Sequence, residues 1–321
     1  MPKRDRKQAL LLVNMGGPAV ESDIKPYLQQ IFQDRAILPV PRCLRSLLSR
    51  LIIHRRLPLV KERYRMLGGG SPLLQLTGEQ AQQIEQQLGR EDSTFQHVTY
   101  AFRYTAPTLE EALTGLTDAG FNRVLLLPLF PHYTSAMSGS IEVEPARVAA
   151  ELNLELILLP PWGADPRILE LQESYLQAAL TATGNSARVL FVAHGIPMRN
   201  LRQGDPYVRQ VSATAHALGS RLPEGVDWSL AYQSRLGPIK WTGPYLQAEI
   251  ERLAVTAQPL IIMPLSFVAD CLETLYDLDM IAASQGLQAG ISQVLRVPVF
   301  NSDPAFCRLL LQIASEVEHV Q

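Results

Sequence analysis

Cysteine is scarce and scattered: Cys43, Cys271 and Cys307 are the three in 321 residues, and no two form a C-x-x-C pair. That excludes a zinc knuckle and a disulfide framework, and reduced thiols fit a cytoplasmic compartment. No apolar run approaches the roughly 20 residues that span a bilayer. The basic start, residues 1–7, runs into Ala9-Leu10-Leu11-Leu12-Val13, but that run stops at Asn14 without a small-residue cleavage site, so it reads as a buried strand and not an export signal. Charge of neither sign dominates. A net charge of −2 provides no global field for nucleic acid, and no basic surface with interleaved aromatics takes its place. With 47% hydrophobic and 19% charged residues and no long polar tract, the whole length is expected to fold, as two lobes each with its own core.

Several catalytic signatures are missing too. Asn14-Met15-Gly16-Gly17-Pro18 lacks the G-x-G-x-x-G spacing, and Pro18 removes a backbone donor, so a nicotinamide site is excluded. Gly68-Gly69-Gly70-Ser71-Pro72 has no following lysine and reads as a turn, not a phosphate loop. H-E-x-x-H and G-x-S-x-G are absent, which disfavours a metalloprotease or an α/β-hydrolase.

What is present is alternation. Short apolar runs at 10–13, 98–102, 124–127, 156–159, 189–192, 230–232 and 260–263 are separated by helical patterns such as 107–119 and 205–222. This predicts an α/β class, doubly wound, with mainly parallel sheets flanked by helices. An internal repeat divides the chain. Leu11-Leu12-Val13-Asn14-Met15-Gly16-Gly17-Pro18 is echoed by Leu190-Phe191-Val192-Ala193-His194-Gly195-Ile196-Pro197, so Met15 corresponds to His194. Tyr100-Ala101-Phe102 then matches Leu230-Ala231-Tyr232, and Leu127-Pro128-Leu129-Phe130 matches Met263-Pro264-Leu265-Ser266. Three matches in order point to two similar lobes, 1–160 and 161–321, the first carrying an insertion at about 37–75. Ligands of such sheets bind beyond the carboxyl ends of the strands, which predicts an active-site cleft between the lobes suited to a large flat molecule.

The insertion is basic: Arg35, Arg42, Arg45, Arg50, Arg55, Arg56 and Lys61 occur between Asp34 and Glu62 with no acid among them. Leu44, Leu47, Leu48, Leu51 and Ile52 fall at helical spacing and form an apolar face. Two readings stand. The leucines pack on the lobe beneath solvated arginines, or the helix is a lid over an anionic apolar ligand that also meets a membrane surface through residues 41–56.

Two positions carry candidate chemistry. His194 follows a buried strand and precedes Gly195, so it sits at a strand's carboxyl end, where a histidine is either held by a loop hydrogen bond or serves as base or metal ligand. Glu273 and Asp277 lie four apart on one helix face after the strand end Pro264-Leu265-Ser266. Acids in a first helical turn are commonly partners of the helix dipole; like charges there are also tolerated where a cation passes between them.

Seven stretches in order resemble the ferrochelatase family: residues 11–18, 68–73, 102–104, 127–135, 193–197, 232–238 and 267–279. The resemblance implies two α/β lobes enclosing a porphyrin and insertion of Fe(2+) to complete haem, with porphyrin and ferrous iron as substrates and no tightly bound cofactor. It implies His194 and Glu273 as the catalytic and metal residues, Asp277 as a metal or proton path, and Met15, Arg103, Tyr104, Tyr133 and Ser135 as porphyrin contacts. The basic insertion matches a mobile lip. Departures are Cys271 where the family usually has histidine, Ile281 where it has an acid, and His132 where many members have glutamine. Some members hold an iron-sulfur cluster on four cysteines; three scattered ones cannot supply it, so no cluster is expected.

The mechanism this suggests has His194 accepting a pyrrole proton while Glu273 with Asp277 guides iron or the second proton. Protoporphyrin IX is the expected ring and protohaem the product. Coproporphyrin, another tetrapyrrole and metal, or a non-catalytic haem or porphyrin carrier remain the alternatives, and the oligomeric state is left open.

Overall fold

The computed structural model describes residues 7–89, 94–183, 186–235 and 237–319. Residues 1–6 of the basic start, and Leu236 within the 232–238 stretch, lie outside the described residues.

Each of two compact units is organised around one four-stranded parallel sheet. In the first, β1 (Gln8–Asn14), β2 (His97–Phe102), β3 (Arg123–Pro128) and β4 (Glu155–Leu158) run in the order β2-β1-β3-β4. In the second, β5 (Arg188–His194), β6 (Trp228–Gln233), β7 (Leu260–Pro264) and β8 (Val294–Arg296) run in the order β6-β5-β7-β8. All seven residues of β1 are buried, as its unbroken apolar run requires when helices cover both sheet faces. Full burial of each leucine there stabilises by roughly 1.5–3 kcal/mol.

The two sheets repeat residue for residue. Asn14 pairs with Phe102, and its counterpart Ala193 pairs with Tyr232; Val13 pairs with Pro128 as Val192 does with Pro264. The strand exits are equivalent as well. The Phe102 amide donates to the Pro107 carbonyl and the Tyr232 amide to the Pro244 carbonyl, both at 2.8 Å, and the Leu129 and Leu265 amides donate at 2.8 Å to the Val13 and Val192 carbonyls. The edge strand β8 was not legible in sequence, because three half-buried residues carry no period.

The helix expected at 107–119 spans Leu109–Asp118. A capping box starts it: Thr108 Oγ1 accepts from the Glu111 amide at 3.2 Å, while the Glu111 carboxylate accepts from the Thr108 amide at 2.7 Å. Leu109, Leu113 and Leu116 are buried on one face. The helix expected at 205–222 is shorter, Tyr207–Gly219, since Asp205 holds the Tyr207 amide at 3.0 Å just outside it.

The units are not two continuous halves. The first comprises Met1–Leu129, Ser135–Pro160 and Asn301–Gln321; the second comprises Phe130–Thr134 and Pro161–Phe300. The final helix, Pro304–His319, joins the first unit because Phe306, Cys307, Leu310 and Leu311 are fully buried and because Gln80 Nε2 donates to the Asn301 carbonyl at 2.6 Å. Phe130–Thr134 joins the second through His132 Nε2 at 3.0 Å from Thr214 Oγ1, the Tyr133 amide donating to Gln210 Oε1 at 2.7 Å, and Thr134 Oγ1 donating to Asp205 at 3.0 Å.

Within the inserted segment, one 25-residue helix runs Arg42–Met66. Its buried residues are Ser49, Ile53, Val60 and Tyr64. Leu44, Leu47 and Leu51 are instead exposed, Leu47 by 65%, and Leu48 and Ile52 are half-buried. The inward-packing reading of the leucine stripe is therefore corrected: the packing face follows a neighbouring row, which Ser49 had hidden from an apolar count. Not all the basic residues are solvated either. Arg45 donates to the Leu38, Gln33 and Val40 carbonyls, and Lys61 and Arg65 pair with Glu21.

Candidate active site

Strand β5 delivers His194 at its carboxyl end in the second unit. The following residue must be glycine. Its amide donates to the Gln233 carbonyl at 2.8 Å, and a Cβ there would stand 2.9 Å from the same oxygen. The loop is pinned next by the Ile196 amide donating to Thr242 Oγ1 at 3.1 Å, and by the Thr242 amide donating to the Ile196 carbonyl at 2.9 Å.

Alternation along β5 decides where the imidazole points. Leu190 and Val192 pack with Leu278 and Ala282, whereas Phe191 and Ala193 belong to the core on the opposite sheet face. His194 therefore projects on the side of the helix Glu273–Ala282. Phe267 stands edge-on to its ring, with centroids 6.2 Å apart. Burial pushes the imidazole's pKa below its ordinary value, and the Glu273 carboxylate opposes that shift. The two groups that the sequence singled out thus act on each other within one unit.

The helix bearing Glu273 and Asp277 is a π-helix, Glu273–Ala282, wider than the ordinary helix expected. Its bonds close at i to i+5, so residues four apart fall just short of one turn and remain on one side. A polar frame holds its start. Thr274 Oγ1 donates to Asp270 at 2.8 Å and accepts from the Cys271 amide at 3.0 Å, while Arg296 at the end of β8 pairs with Asp270 at 3.2 Å and with Asp279 at 2.6 Å. Arg296 so clamps one acid on either side of Glu273 and Asp277. Cys271, the departure from the family pattern, is buried beside Glu273; burial and that carboxylate raise its pKa well above the usual thiol value and keep it a neutral thiol.

Tyr207 and His132 complete the second unit's polar surroundings. The Tyr207 phenol lies 2.5 Å from Ser266 Oγ and hydrogen-bonds the backbone of His194; burial raises its pKa. His132 is 3% exposed, and burial pulls it down to about 4, so it is a neutral structural imidazole. Tyr133 is half-buried.

In the first unit the residues matched to porphyrin contacts form an ion network. Arg103 reaches Asp34 at 3.0 Å, Glu144 at 2.6 Å and Ser140 at 2.7 Å, and the Tyr104 phenol donates to Asp34 at 2.9 Å. Ser140 Oγ also donates to Asp34, at 2.6 Å. The Tyr104 pKa is raised by burial and by the Asp34 charge. Met15 is half-buried; its carbonyl accepts from the Tyr104 amide at 3.1 Å and its amide donates to Asn14 Oδ1 at 2.8 Å. Ser135 is exposed.

Sequence reasoning missed Asp34, Ser140, Glu144, Asp270, Asp279, Gln233 and Arg296. Asp270 and Asp279 bracket the two acids it chose, a detectable signal; the others lie far apart in the chain. Among the described residues, no group of three or more histidine, cysteine, aspartate or glutamate side chains is arranged to hold a metal ion, and no helix is long and apolar enough to cross a membrane.

Comparison with known proteins identifies the family. The ferrochelatase family model matches residues 7–318. The ferrochelatase of Geotalea daltonii is 34% identical over 318 residues, spanning 97% of this chain and 98% of its own length. That of Geobacter sp. strain M21 is 33% identical over 313 residues, spanning 96% and 97%. Of solved structures, SirB from Bacillus subtilis with Fe3+ shares the fold, with a TM-score of 0.59 at 15% identity and 98% of each chain covered. The chain belongs to the ferrochelatase family, the metal chelatases of haem biosynthesis, with ferrous iron as substrate.

Proposed function

We propose that the protein inserts ferrous iron into protoporphyrin IX to give protohaem, with His194 and Glu273 as its catalytic pair. The observation that carries this reading is the electrostatic interaction of a half-buried imidazole at a strand's carboxyl end with a carboxylate on the facing π-helix. Metallation releases two pyrrole protons for each iron bound. Because burial holds His194 neutral, its ring nitrogen is free to accept one of them near neutral pH. Glu273, backed by Asp277 on the same side of the helix, guides the cation or takes the second proton. Imidazole and carboxylate suit a borderline divalent ion, and two protein ligands leave iron exchangeable, as a substrate must be.

Protoporphyrin is favoured over coproporphyrin by charge. The Arg103 guanidinium is already engaged by Asp34 and Glu144, so it is no spare cation for a ring with two further carboxylates. Met15, Arg103, Tyr104, Tyr133 and Ser135 are proposed as ring contacts, and the exposed leucines beside arginines at 41–56 support contact with an anionic membrane surface.

Anaerobic incubation of the purified protein with ferrous iron and either ring separately, followed by the absorbance change on metallation, tests the proposal. Faster turnover of protoporphyrin is expected. Preference for coproporphyrin would overturn the ring assignment, and binding without metallation would replace the enzyme by a carrier.

A further inference from the structure

The position beside His194 on the neighbouring strand holds a side chain that the known chemistry does not use. Gln233 ends β6 and is the Cα partner of His194 in the sheet. Paired residues of parallel strands project from the same face, so the Gln233 amide lies on the side of His194 and of the π-helix. Gln233 is 5% exposed, yet neither its Oε1 nor its Nε2 makes a hydrogen bond within the protein. Buried side-chain amides are ordinarily satisfied, because stripping both groups of water without replacement is unfavourable. The chain also accepts a strained turn here: Ser234 follows with φ of 67°, in the left-handed region that a non-glycine residue seldom adopts.

The first unit shows what the same fold does when the side chain at this position is fully paired. The counterpart of Gln233 is Arg103, one residue beyond Phe102, and every arm of its guanidinium is met by Asp34, Ser140 or Glu144. Gln233 has kept an amide and acquired no such partners. A ring carboxylate would call for a cation at this place. A hydrated divalent cation brings strongly polarised water O–H donors, and an amide oxygen is the neutral acceptor that fits them.

We propose that Gln233 is a catalytic residue that receives hydrated ferrous iron, its Oε1 accepting from an iron-bound water beside His194 and its Nε2 donating to a water that iron sheds. No bond other than the iron–water bond breaks in this step, and no electron moves. The inference rests on the chelatase reading and adds to it the group that handles the metal's water.

Gln233→Leu tests it, with wild type and His194→Ala in the same anaerobic assay of protoporphyrin IX and ferrous iron. Expected for Gln233→Leu are a KM for iron raised about tenfold, porphyrin affinity within twofold of wild type, and a Tm that is unchanged or higher, since an unsatisfied buried amide has been removed. Gln233→Asn, which keeps the amide on a shorter stem, should recover part of the loss. An unaltered KM for iron overturns the proposal, whether porphyrin affinity falls, which would make the amide a ring contact, or Tm falls, which would make it structural. Failure of wild type to metallate, or full activity in His194→Ala, would instead refute the chelatase reading itself.

Discussion

The two units place different chemistry on one scaffold. Their central strands share order, register and exit hydrogen bonds, but Met15 follows the first where His194 ends the second. At the neighbouring strand end, Arg103 sits in a closed ion network while the Gln233 side-chain amide has no hydrogen-bond partner in the protein. Backbone geometry is therefore common property, and reactivity is set by which side chains the strand ends carry and whether the surroundings satisfy them. Among the described residues, the π-helix with Glu273 and Asp277 belongs to the second unit.

Exchanging the strand-end residues gives the strongest test of that contrast. His194→Met should lower metallation about a thousandfold, the scale of a lost general base, while porphyrin binding persists. Adding Met15→His should not restore it, because Glu144 on the helix that follows β3 is already paired with Arg103. Recovery in the double variant, followed by the absorbance assay, would show the units to be interchangeable.

The closed network of the first unit should be worth stability where its counterpart is not. Arg103→Ala leaves the Asp34 carboxylate with the Ala36 amide and two hydroxyl donors but no cation, and a loss of about 2–4 kcal/mol in urea unfolding is expected. A loss equal to that of Gln233→Leu would erase the distinction between the two strand ends.

His132 sharpens it through pH. Its folded pKa, about 4, lies below the ordinary 6.5, so between those values the unfolded chain binds a proton that the folded chain does not. The stability this neutral imidazole contributes is complete above about pH 6.5 and falls as pH drops towards 4, by up to about 3 kcal/mol. His132→Gln should flatten that acid limb in thermal melts at stepped pH.

The smallest effect separates the two faces of the inserted helix. Leu47→Ser on the exposed row should change stability by less than about 0.5 kcal/mol. Ile53→Ala on the buried row should lose about 2–4 kcal/mol. Equal losses would return the leucine stripe to the core.

Much of this was legible before any coordinates. Apolar runs placed seven of the eight strands, and the matched segments predicted two similar lobes, because a buried parallel strand must be continuously apolar and a duplicated one keeps its punctuation. His194 and Glu273 stood out because glycine and a strand end surround one, and a second acid repeats the other at i+4. The clamp of Arg296 on Asp270 and Asp279 did not, since its partners lie 17 or more residues away and β8 is too short to show a period.

Taken alone, the sequence determined the class, the repeat and the family, and nominated His194 and Glu273, all of which depend on local pattern and order along the chain. Only the tertiary structure decided which polar groups are satisfied. It returned the last helix to the first unit, turned the leucines of the inserted helix outward, widened the Glu273 helix and left the Gln233 amide without a partner. Hydrogen bonding and burial depend on neighbours brought together from distant parts of the chain, and no local period records them.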